Sequence, residues 1–225
     1  MTHKQVAAFF DLDRTLILGD SQAMELRHIL AHEKPSPLFY LKLAGPLFTG
    51  ILTHLSLVSQ ESHTLSYMKT YRGQLSRTLL DRGDLLFRKT LRHRFIDQSL
   101  DLITRHRQKG HLIILVSATP GHLMEPMVNH VKPHAYACTH LDFNRDGLCT
   151  GTPRDALCMG SVKADQIRRM AREYHLDLSL SHAYSDHHAD LPFLESVGYP
   201  SAINPTPKLS RIARKRNWPV HRFSL

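Results

Sequence analysis

The chain has 225 residues, of which 42% are hydrophobic, and its 29 Lys and Arg residues against 20 Asp and Glu residues give a net charge of +9. This length and apolar content are sufficient for one substantial hydrophobic core with room for a small inserted unit. The sequence shows no internal repeat, no zinc-finger spacing and no aromatic-rich RNA-binding signature, so a nucleic-acid partner is not expected despite the positive charge.

The first predicted strand, Val6 to Phe10, ends in two carboxylates and a hydroxyl. Asp11 and Asp13 lie two residues apart in an extended chain, so both can face the same side while Leu12 turns back into the protein. Thr15 follows in the same segment. Open α/β sheets place their functional groups at the carboxyl ends of strands. Two acids there suit a nucleophile beside a proton donor, or a divalent-metal site, although Asp and Thr are also ordinary turn residues.

Roughly 100 residues without an obvious strand separate this strand from the second one. An inserted helical cap explains that gap better than a long loop does. The predicted domains are therefore a catalytic core over 1–19 and 106–225 and a helical cap over 20–105. Helix-forming composition and partial 3.6-residue periodicity predict helices in three stretches: Ser21 to His32, Ser59 to Leu80 and Asp84 to Arg107.

The cap also contains a long apolar stretch, Pro37 to Val58. Lys42, Pro46 and Gly50 interrupt it, whereas a membrane-spanning helix needs about 20 predominantly apolar residues. The stretch is therefore predicted to form a pair of cap helices that packs on itself or on a partner subunit, so the chain is expected to be a monomer or a homodimer. Peripheral membrane contact through 37–58 is the alternative.

The second buried strand, Leu112 to Val116, runs into Ser117, Ala118, Thr119 and Pro120. Thr119 is predicted to cap the following helix, with Pro120 as the first helical residue. Ser117 is then expected to lie beside the free N–H groups of a helix N-terminus, which favour an oxyanion.

Two further groups of polar residues follow in the chain. Ser161 is predicted as an N-cap with Lys163 in the first turn of its helix, where the helix dipole disfavours a cation unless an anion is present. The strand at 180–185 ends before Asp186, and Asp190 precedes another helix. Taken singly, Ser117 is equally well interpreted as a residue near a helix cap, Lys163 as a surface lysine, and the segment with Asp186 and Asp190 as an acidic loop.

Alternation of strand and helix in the second half of the chain predicts a doubly wound, mostly parallel α/β sheet. Asp146 and Gly147 predict a hairpin turn. The other predicted elements are helices at 120–130, 190–197 and 207–216, the last with a solvated basic face, and short strands at 135–140 and 201–203.

Two acidic clusters, a Ser at a strand end and a single Lys, each at a junction of strand and helix and in this order, resemble the haloacid dehalogenase superfamily. The resemblance is sharpest at 9–21, 112–121 and 183–205, and it implies a Rossmann-like core with an inserted helical cap. Four segments are similar to the phosphoserine-phosphatase-like branch, subfamily IB: Gly19-Asp20-Ser21, Val116 to Pro120, Asp190 to Gly198 and Trp218-Pro219-Val220.

The resemblance implies a phosphatase that works through an aspartyl-phosphate. Asp11 would be the nucleophile, and Asp13 would protonate the leaving alcohol and then deprotonate water. Lys163 would neutralise the charge that Asp11 shares with the phosphate. Thr15 and Ser117 would donate hydrogen bonds to the phosphoryl oxygens, with Ala118 beside them at the substrate. In such a reaction the protein acts mainly by positioning the reacting groups and by neutralising charge.

The resemblance also implies Mg²⁺ as the cofactor. Asp11, Asp186 and the backbone carbonyl of Asp13 would hold the ion, and Asp190 would support it nearby or through water. Mg²⁺ prefers oxygen ligands and keeps several waters, so one or two carboxylates are sufficient.

Arg14 and two adjacent histidines depart from the pattern familiar in this superfamily. Arg14 stands where many members have Gly, and its long cation would crowd the site or bind a second anionic group. His187 and His188 follow the metal-binding acid. Adjacent side chains rarely point the same way and Mg²⁺ avoids imidazole, so these histidines are expected to be solvated or to play a supporting role.

The expected substrate is a small phosphorylated metabolite such as phosphoserine or histidinol phosphate. Asp20 stands where the phosphoserine enzymes have a Glu that meets the substrate amine, which makes the acid one methylene shorter. Arg72 and Arg77 are candidates for binding a substrate carboxylate.

The sequence therefore predicts a cytoplasmic, Mg²⁺-dependent phosphomonoester phosphatase. The segment before the first strand does not resemble a signal peptide, and three cysteines without metal spacing predict reduced thiols. A dehalogenase of the same fold is a rival, but its chemistry has no need of Asp13 or a metal. The rival from another class is a catalytically weakened binding or membrane-associated module of this fold, which Arg14 alone favours.

Overall fold

The computed structural model describes residues 4–55 and 57–224. Residues 1–3, 56 and 225, which fall within the predicted ranges 1–19, 37–58 and 106–225, lie outside the described residues.

Eight strands and nine α-helices are present in this part of the chain. The strands are β1 (Ala7–Phe10), β2 (Leu112–Pro120), β3 (Ala135–Thr139), β4 (Leu141–Phe143), β5 (Cys149–Pro153), β6 (His182–Ser185), β7 (Tyr199–Ile203) and β8 (Val220–His221). The helices are α1 (Ser21–His32), α2 (Pro37–His54), α3 (Gln60–Met68), α4 (Ser76–Lys89), α5 (Asp97–Gln108), α6 (Gly121–Val131), α7 (Ser161–Glu173), α8 (Leu191–Leu194) and α9 (Pro207–Lys215).

Six strands form one sheet in the order β3-β2-β1-β6-β7-β8, and every pair in it is parallel. β1 is buried along its whole length because both faces of the sheet are covered. The strand order reverses between β1 and β6, since β2 and β3 extend the sheet to one side and β7 and β8 to the other. The predicted α/β class with a doubly wound sheet is confirmed.

Side chains of β1 alternate between two hydrophobic clusters, one on each face of the sheet. Phe10 packs in the first cluster with Ile103 of α5 and Met127 of α6. Phe9 packs in the second with Ile167 of α7. Ile103 therefore belongs to the core of the sheet, and the predicted boundary between residues 105 and 106 falls inside α5.

In the cap, α1 begins and ends at the predicted residues, but the apolar stretch 37–58 differs from the prediction. It forms one helix with Pro46 inside it rather than a pair of helices. Packing on α3 supports the helix beyond the proline. There the Thr49 hydroxyl donates to the carbonyl of Gly45 at 3.0 Å and lies 3.2 Å from Nδ1 of His63.

The two other long helical stretches predicted in the cap are each interrupted. The stretch 59–80 leaves the helix at a short 3-10 turn, after which Gly73, at φ 83°, donates its N–H to the carbonyl of Cys149. The stretch 84–107 is divided where Ile96 donates its N–H to the carbonyl of Leu16. Each non-helical segment contains a backbone hydrogen bond to a distant part of the chain. Helical periodicity carries no information about such contacts.

Outside the main sheet, β4 and β5 form an antiparallel hairpin. Gly147 has φ 74° in the connecting turn and donates its N–H to the carbonyl of Asn144, which confirms the predicted turn. The predicted helix 190–197 is shorter than expected and covers only α8. Cys138, Cys149 and Cys158 are free and buried. Among the described residues, none of the helices combines the length and the apolarity needed to cross a membrane.

A buried ionic cluster ties α1 to the rest of the molecule. Glu25 accepts hydrogen bonds from Nε2 of His122 at 3.0 Å and from the hydroxyl of Tyr71 at 2.5 Å. Its carboxylate also lies 3.8 Å from Nη1 of Arg82, which forms a second ion pair with Glu33. Burial alone would raise the pKa of Glu25, but these partners lower it below the usual value. Glu25 is therefore a buried anion that depends on its partners.

We expect Glu25→Ala to lower the free energy of unfolding by about 3 kcal/mol, because it leaves His122 without its acceptor and removes one partner of the buried Arg82. Urea denaturation measures the change. Glu125→Ala, at an exposed position of α6, is the matched control and should cost less than about 0.5 kcal/mol. Equal losses in the two variants would show that the buried cluster adds nothing to stability.

Candidate functional site

The acids predicted from the sequence meet where the strand order reverses. Asp11 follows β1 and Asp186 follows β6, and the N–H of Asp11 donates to the carbonyl of Tyr184 at 3.0 Å. Ligands of open α/β sheets bind at this kind of switch point, outside the carboxyl ends of the strands. The structure has a cavity of about 170 Å³ there, lined by these acids together with Asp13, Lys163, Asp190, Ala118 and Thr119.

Lys163 joins two of these carboxylates. Its Nζ lies 2.9 Å from Oδ1 of Asp11 and 2.7 Å from Oδ2 of Asp190, and the lysine is only 2% exposed. Oδ2 of Asp190 also accepts a hydrogen bond from the hydroxyl of Ser185 at 2.7 Å. The anion expected beside Lys163 is thus present. Asp190 holds the lysine in place, a function that the sequence alone did not assign to it.

Local backbone geometry positions Lys163. The predicted N-cap, Ser161, is instead the first residue of α7, and Gly160 precedes it with φ 55° and ψ −121°. Such a conformation is strained for residues with a Cβ atom, so glycine takes the place of a side-chain cap. No hydrogen bond from a capping side chain is present at this end of the helix.

The charges of Asp11 and Lys163 shift each other's pKa values. Burial raises the pKa of Asp11, whereas the ammonium of Lys163 opposes that shift. Burial alone would lower the pKa of Lys163, but Asp11 and Asp190 outweigh it and raise the pKa above its usual value. Lys163 is therefore a fixed cation at neutral pH, placed to offset negative charge at Asp11.

Asp13 is held by the N-terminus of α1 and by β2. Oδ1 accepts from the N–H of Ser21 at 2.7 Å, and Oδ2 accepts from the hydroxyls of Ser21 at 3.0 Å and Thr119 at 3.1 Å. Burial raises the pKa of Asp13 to about 8, and the carboxylates of Asp20 and Asp11 add to the shift. A carboxyl group that keeps its proton near neutral pH is suited to act as a general acid.

Thr119 does not cap a helix as predicted. It lies in β2, and α6 begins at Gly121 after an extended Pro120. The Thr119 hydroxyl is engaged instead by Asp13 and by the hydroxyl of Ser117 at 3.0 Å. Ser117 is buried, and it stands four residues before the helix rather than at its terminus.

The remaining predicted substrate residues differ in their surroundings. The hydroxyl of Thr15 is buried and has no hydrogen-bond partner among the described residues. Thr15 is fully buried, and it is not among the residues that line the cavity. Asp20 lines the cavity and also caps α1, where Oδ1 accepts from the N–H of Ala23 at 2.8 Å.

Asp186 is a buried carboxylate without a protein partner. It is 5% exposed, and within the described chain no group donates a hydrogen bond to its side chain. Burial raises its pKa to about 8, and the neighbouring Asp11 adds to the shift. Burial thus makes Asp186 costly to ionise unless a cation compensates its charge. The carboxylates of Asp11 and Asp186 supply the hard oxygen ligands that Mg²⁺ prefers, so this pair of ligands fits that ion.

The two adjacent histidines do point the same way, contrary to expectation. Their ring centroids are 4.2 Å apart because His187 is extended while His188 begins a short 3-10 helix, so the chain turns between them. Nδ1 of His187 accepts the N–H of Ala189 at 3.1 Å. Burial lowers the pKa of His187 to about 4, and His188 adds to the shift. His187 therefore lines the cavity as a neutral imidazole.

Arg14 adopts φ 58°, in the left-handed region that favours glycine. Its side chain is exposed, and it lines both the catalytic cavity and an adjoining cavity of about 1010 Å³ between the cap and the core. Lys208 of the predicted basic helix also lines the adjoining cavity. Arg72 instead donates to the carbonyl of Thr150, and Arg77 faces Asp81 at the surface.

Sequence reasoning missed three residues that hold the acids of this site: Ser21, Ser185 and Thr119, the last of which was predicted as a helix cap. Each is a small hydroxyl residue that is buried and hydrogen-bonded to the carboxylate of Asp13 or Asp190. The segments containing Ser21 and Thr119 carried the family resemblance, but only the fold shows which acids they contact.

Comparison with known proteins places the chain in a family. A family model for haloacid dehalogenase-like hydrolases matches residues 8–195. The "inhibition of morphological differentiation protein" of Streptomyces azureus is 31% identical, over 97% of this chain and 79% of the relative. Phosphoserine phosphatase SerB1 of Mycobacterium tuberculosis is 26% identical, over 97% of this chain and 71% of the relative.

A solved structure shares the fold along nearly the whole chain. A protein of unknown function from Bordetella pertussis Tohama I superposes with a TM-score of 0.82 at 24% identity, covering 97% of this chain and 99% of that one.

Proposed function

The chain belongs to the haloacid dehalogenase-like hydrolases and is a phosphatase, and we propose that it hydrolyses a small phosphomonoester with Mg²⁺ through an aspartyl-phosphate on Asp11. One observation carries this proposal. The buried ammonium of Lys163 lies 2.9 Å from Asp11, beside the unpartnered carboxylate of Asp186. A carboxylate nucleophile, a fixed cation and a second carboxylate that could bind a metal ion meet at one point, as phosphoryl transfer requires.

In the first step a carboxylate oxygen of Asp11 attacks phosphorus, and the bond from phosphorus to the leaving oxygen breaks. Asp13 gives its proton to that oxygen, so the alcohol leaves neutral. Lys163 offsets the negative charge shared by Asp11 and the phosphoryl group.

In the second step Asp13, now a carboxylate, takes a proton from water as the water oxygen attacks phosphorus. The bond between phosphorus and Asp11 breaks, which releases phosphate and restores the nucleophile. Asp11 and Asp186, with the backbone carbonyl of Asp13, are the residues that would hold Mg²⁺, and the bound ion supplies positive charge against the phosphoryl oxygens.

Asp13→Asn tests the acid–base assignment. We expect both formation and hydrolysis of the phosphoenzyme to slow by about 10²-fold to 10⁴-fold, because an amide neither donates nor accepts the proton. Single-turnover kinetics separates the two steps. An aryl phosphate, whose leaving group needs little protonation, should lose less in the first step than an alkyl phosphate. A change confined to Mg²⁺ affinity would contradict the assignment.

For the substrate, we propose a phosphomonoester that also carries an amine or a carboxylate, such as phosphoserine or histidinol phosphate. Asp20 lines the catalytic cavity and would meet the amine, while Arg14 is the arginine placed to meet a second anionic group. The adjoining cavity of about 1010 Å³ leaves room for organic groups larger than serine. We further propose small phosphorylated metabolites as its partners and the cytoplasm as its location.

A hydrolysis assay tests the proposed function. We expect the purified protein to hydrolyse an aryl phosphate with Mg²⁺ and to lose activity with EDTA, and a panel of phosphorylated metabolites then ranks the substrates. Hydrolysis that is insensitive to EDTA would overturn the Mg²⁺ assignment. No hydrolysis of any phosphate in the panel would favour the weakened binding module.

Peripheral membrane contact is a second candidate function, favoured by the outer face of α2. Leu41, Phe48 and Ile51 are 62 to 71% exposed on this helix, and the chain carries a net charge of +9. We propose that this face binds anionic lipid, since apolar insertion and charge attraction act together there. Vesicles of phosphatidylglycerol should sediment the protein but not a Phe48→Glu variant. Concentration-dependent dimerisation without vesicle binding would assign the face to a homodimer instead.

A further inference from the structure

Three histidines converge at the end of the sheet opposite to the catalytic site. His106 lies in the last turn of α5, His111 directly precedes β2, and His182 is the first residue of β6. One ring nitrogen of each lies within 4.8 Å of the others. The strands are parallel and Asp11 follows the carboxyl end of β1, so this histidine cluster lies toward the amino ends. The proposed phosphatase mechanism gives these residues no role.

Neighbouring aromatic rings fix the orientation of the cluster. Nε2 of His106 lies 2.9 Å from the hydroxyl of Tyr184, whose ring stacks on Phe10. His111 stacks on His182 with ring centroids 5.6 Å apart. The backbones of His106 and His182 belong to a helix and a strand of the core, so the ring positions are set by rigid elements rather than by loops.

Hydrogen bonding leaves a lone pair pointing into the cluster. A neutral imidazole has one N–H and one lone pair. When Nε2 of His106 donates to the Tyr184 hydroxyl, its Nδ1 carries the lone pair and accepts a hydrogen bond from Nδ1 of His111 at 2.9 Å. A metal ion would take the place of that N–H proton between the two rings. A histidine that binds a metal through one nitrogen usually donates from the other to an oxygen, and Tyr184 is placed to accept that hydrogen bond.

The surroundings also keep the imidazoles in their metal-binding form. Burial lowers the pKa of His106 to about 4, with His182 and His111 adding to the shift, and it lowers the pKa of the other two histidines as well. Lys109 is the cation that faces the cluster. The donor set of the cluster is nitrogen only, which suits Zn²⁺ and similar transition metals and not Mg²⁺.

We propose that His106, His111 and His182 bind a transition-metal ion of the Zn²⁺ class, with a fourth position open to solvent. The edge of a tetrahedral zinc site is about 3.3 Å, which lies between the 2.9 Å that separates the two Nδ1 atoms and the 4.8 Å within which all three nitrogens lie, so the rings must rotate to bind the ion. His111 and His182 are half-buried, which leaves a path for the ion. The bound ion would join α5 to the amino ends of β2 and β6.

Binding to the native state alone must stabilise the fold. At free Zn²⁺ near 100 times the dissociation constant, we expect Tm to rise by about 5 to 10 °C. The test uses the full chain carrying Asp186→Ala, which disables the proposed Mg²⁺ site, and it measures zinc bound per chain and the visible spectrum with Co²⁺. We expect one zinc per chain and the intense bands of tetrahedral cobalt.

The double variant His111→Asn, His182→Gln in the same background should lose the bound zinc, the cobalt bands and the rise in Tm. Both positions are half-buried, and circular dichroism verifies that the variant is folded. His93→Gln, an exposed histidine outside the cluster, is the matched control and should keep all three properties. Absence of zinc from the Asp186→Ala protein, or equal zinc binding by the double variant, would overturn the proposal without touching the phosphatase assignment.

Discussion

Asp11→Asn is expected to abolish turnover, with a loss of about a thousandfold or more, while the fold stays intact. The amide keeps the shape of the carboxylate but is a poor nucleophile, so the aspartyl-phosphate does not form. Lys163 loses one of its two carboxylate partners but keeps Asp190 at 2.7 Å, which limits the structural cost. Steady-state hydrolysis of an aryl phosphate with Mg²⁺ measures the effect.

Two controls make this result interpretable. Asp165→Asn changes the same functional group on the exposed surface of α7 and should leave the rate unchanged. Mass spectrometry of the Asp11→Asn protein excludes deamidation, which would restore the nucleophile. Rates like those of the wild type from a preparation verified in this way would remove Asp11 from its proposed role.

Asp186→Ala should raise the Mg²⁺ concentration for half-maximal activity by at least about 10-fold to 100-fold and also depress the maximum rate. The buried Asp186 supplies a hard anionic oxygen without a protein partner, and its loss leaves Asp11 as the single carboxylate proposed to bind the ion. His187→Ala and His188→Ala should spare both quantities, because imidazole is a softer ligand than Mg²⁺ prefers.

A titration of activity with Mg²⁺ compares the three variants, and Mn²⁺ and Zn²⁺ extend the comparison. The histidine variants are a stringent test, because the two rings lie side by side and His187 lines the same cavity as Asp186. A histidine variant that loses activation as severely as Asp186→Ala would indicate a mixed imidazole and carboxylate site. Better activation by Zn²⁺ than by Mg²⁺ would lead to the same conclusion.

Several features of this protein follow from the sequence because they depend on residues close together in the chain. A buried apolar run followed at once by polar residues predicted β1, β2 and β6, and parallel strands bring their carboxyl ends to one edge. Asp11 and Asp186 were placed in this way. The bounds of α1 were predicted correctly from helix-forming composition and periodicity, and in the structure Asp20 caps the start of this helix through the N–H of Ala23.

The tertiary structure alone decided which partners these residues have. Asp13 and Thr119 are 106 residues apart in the chain, and the pairing of β1 with β2 brings them within 3.1 Å. Because of this contact, the Thr119 hydroxyl donates to Asp13 and does not cap α6. The non-helical segments of the cap also contain hydrogen bonds to distant carbonyl groups, from Gly73 to Cys149 and from Ile96 to Leu16, which helical periodicity does not predict. Local pattern thus indicated which groups are candidates for the reaction, while contacts between distant segments determine their orientation, their pKa shifts and the cation beside them.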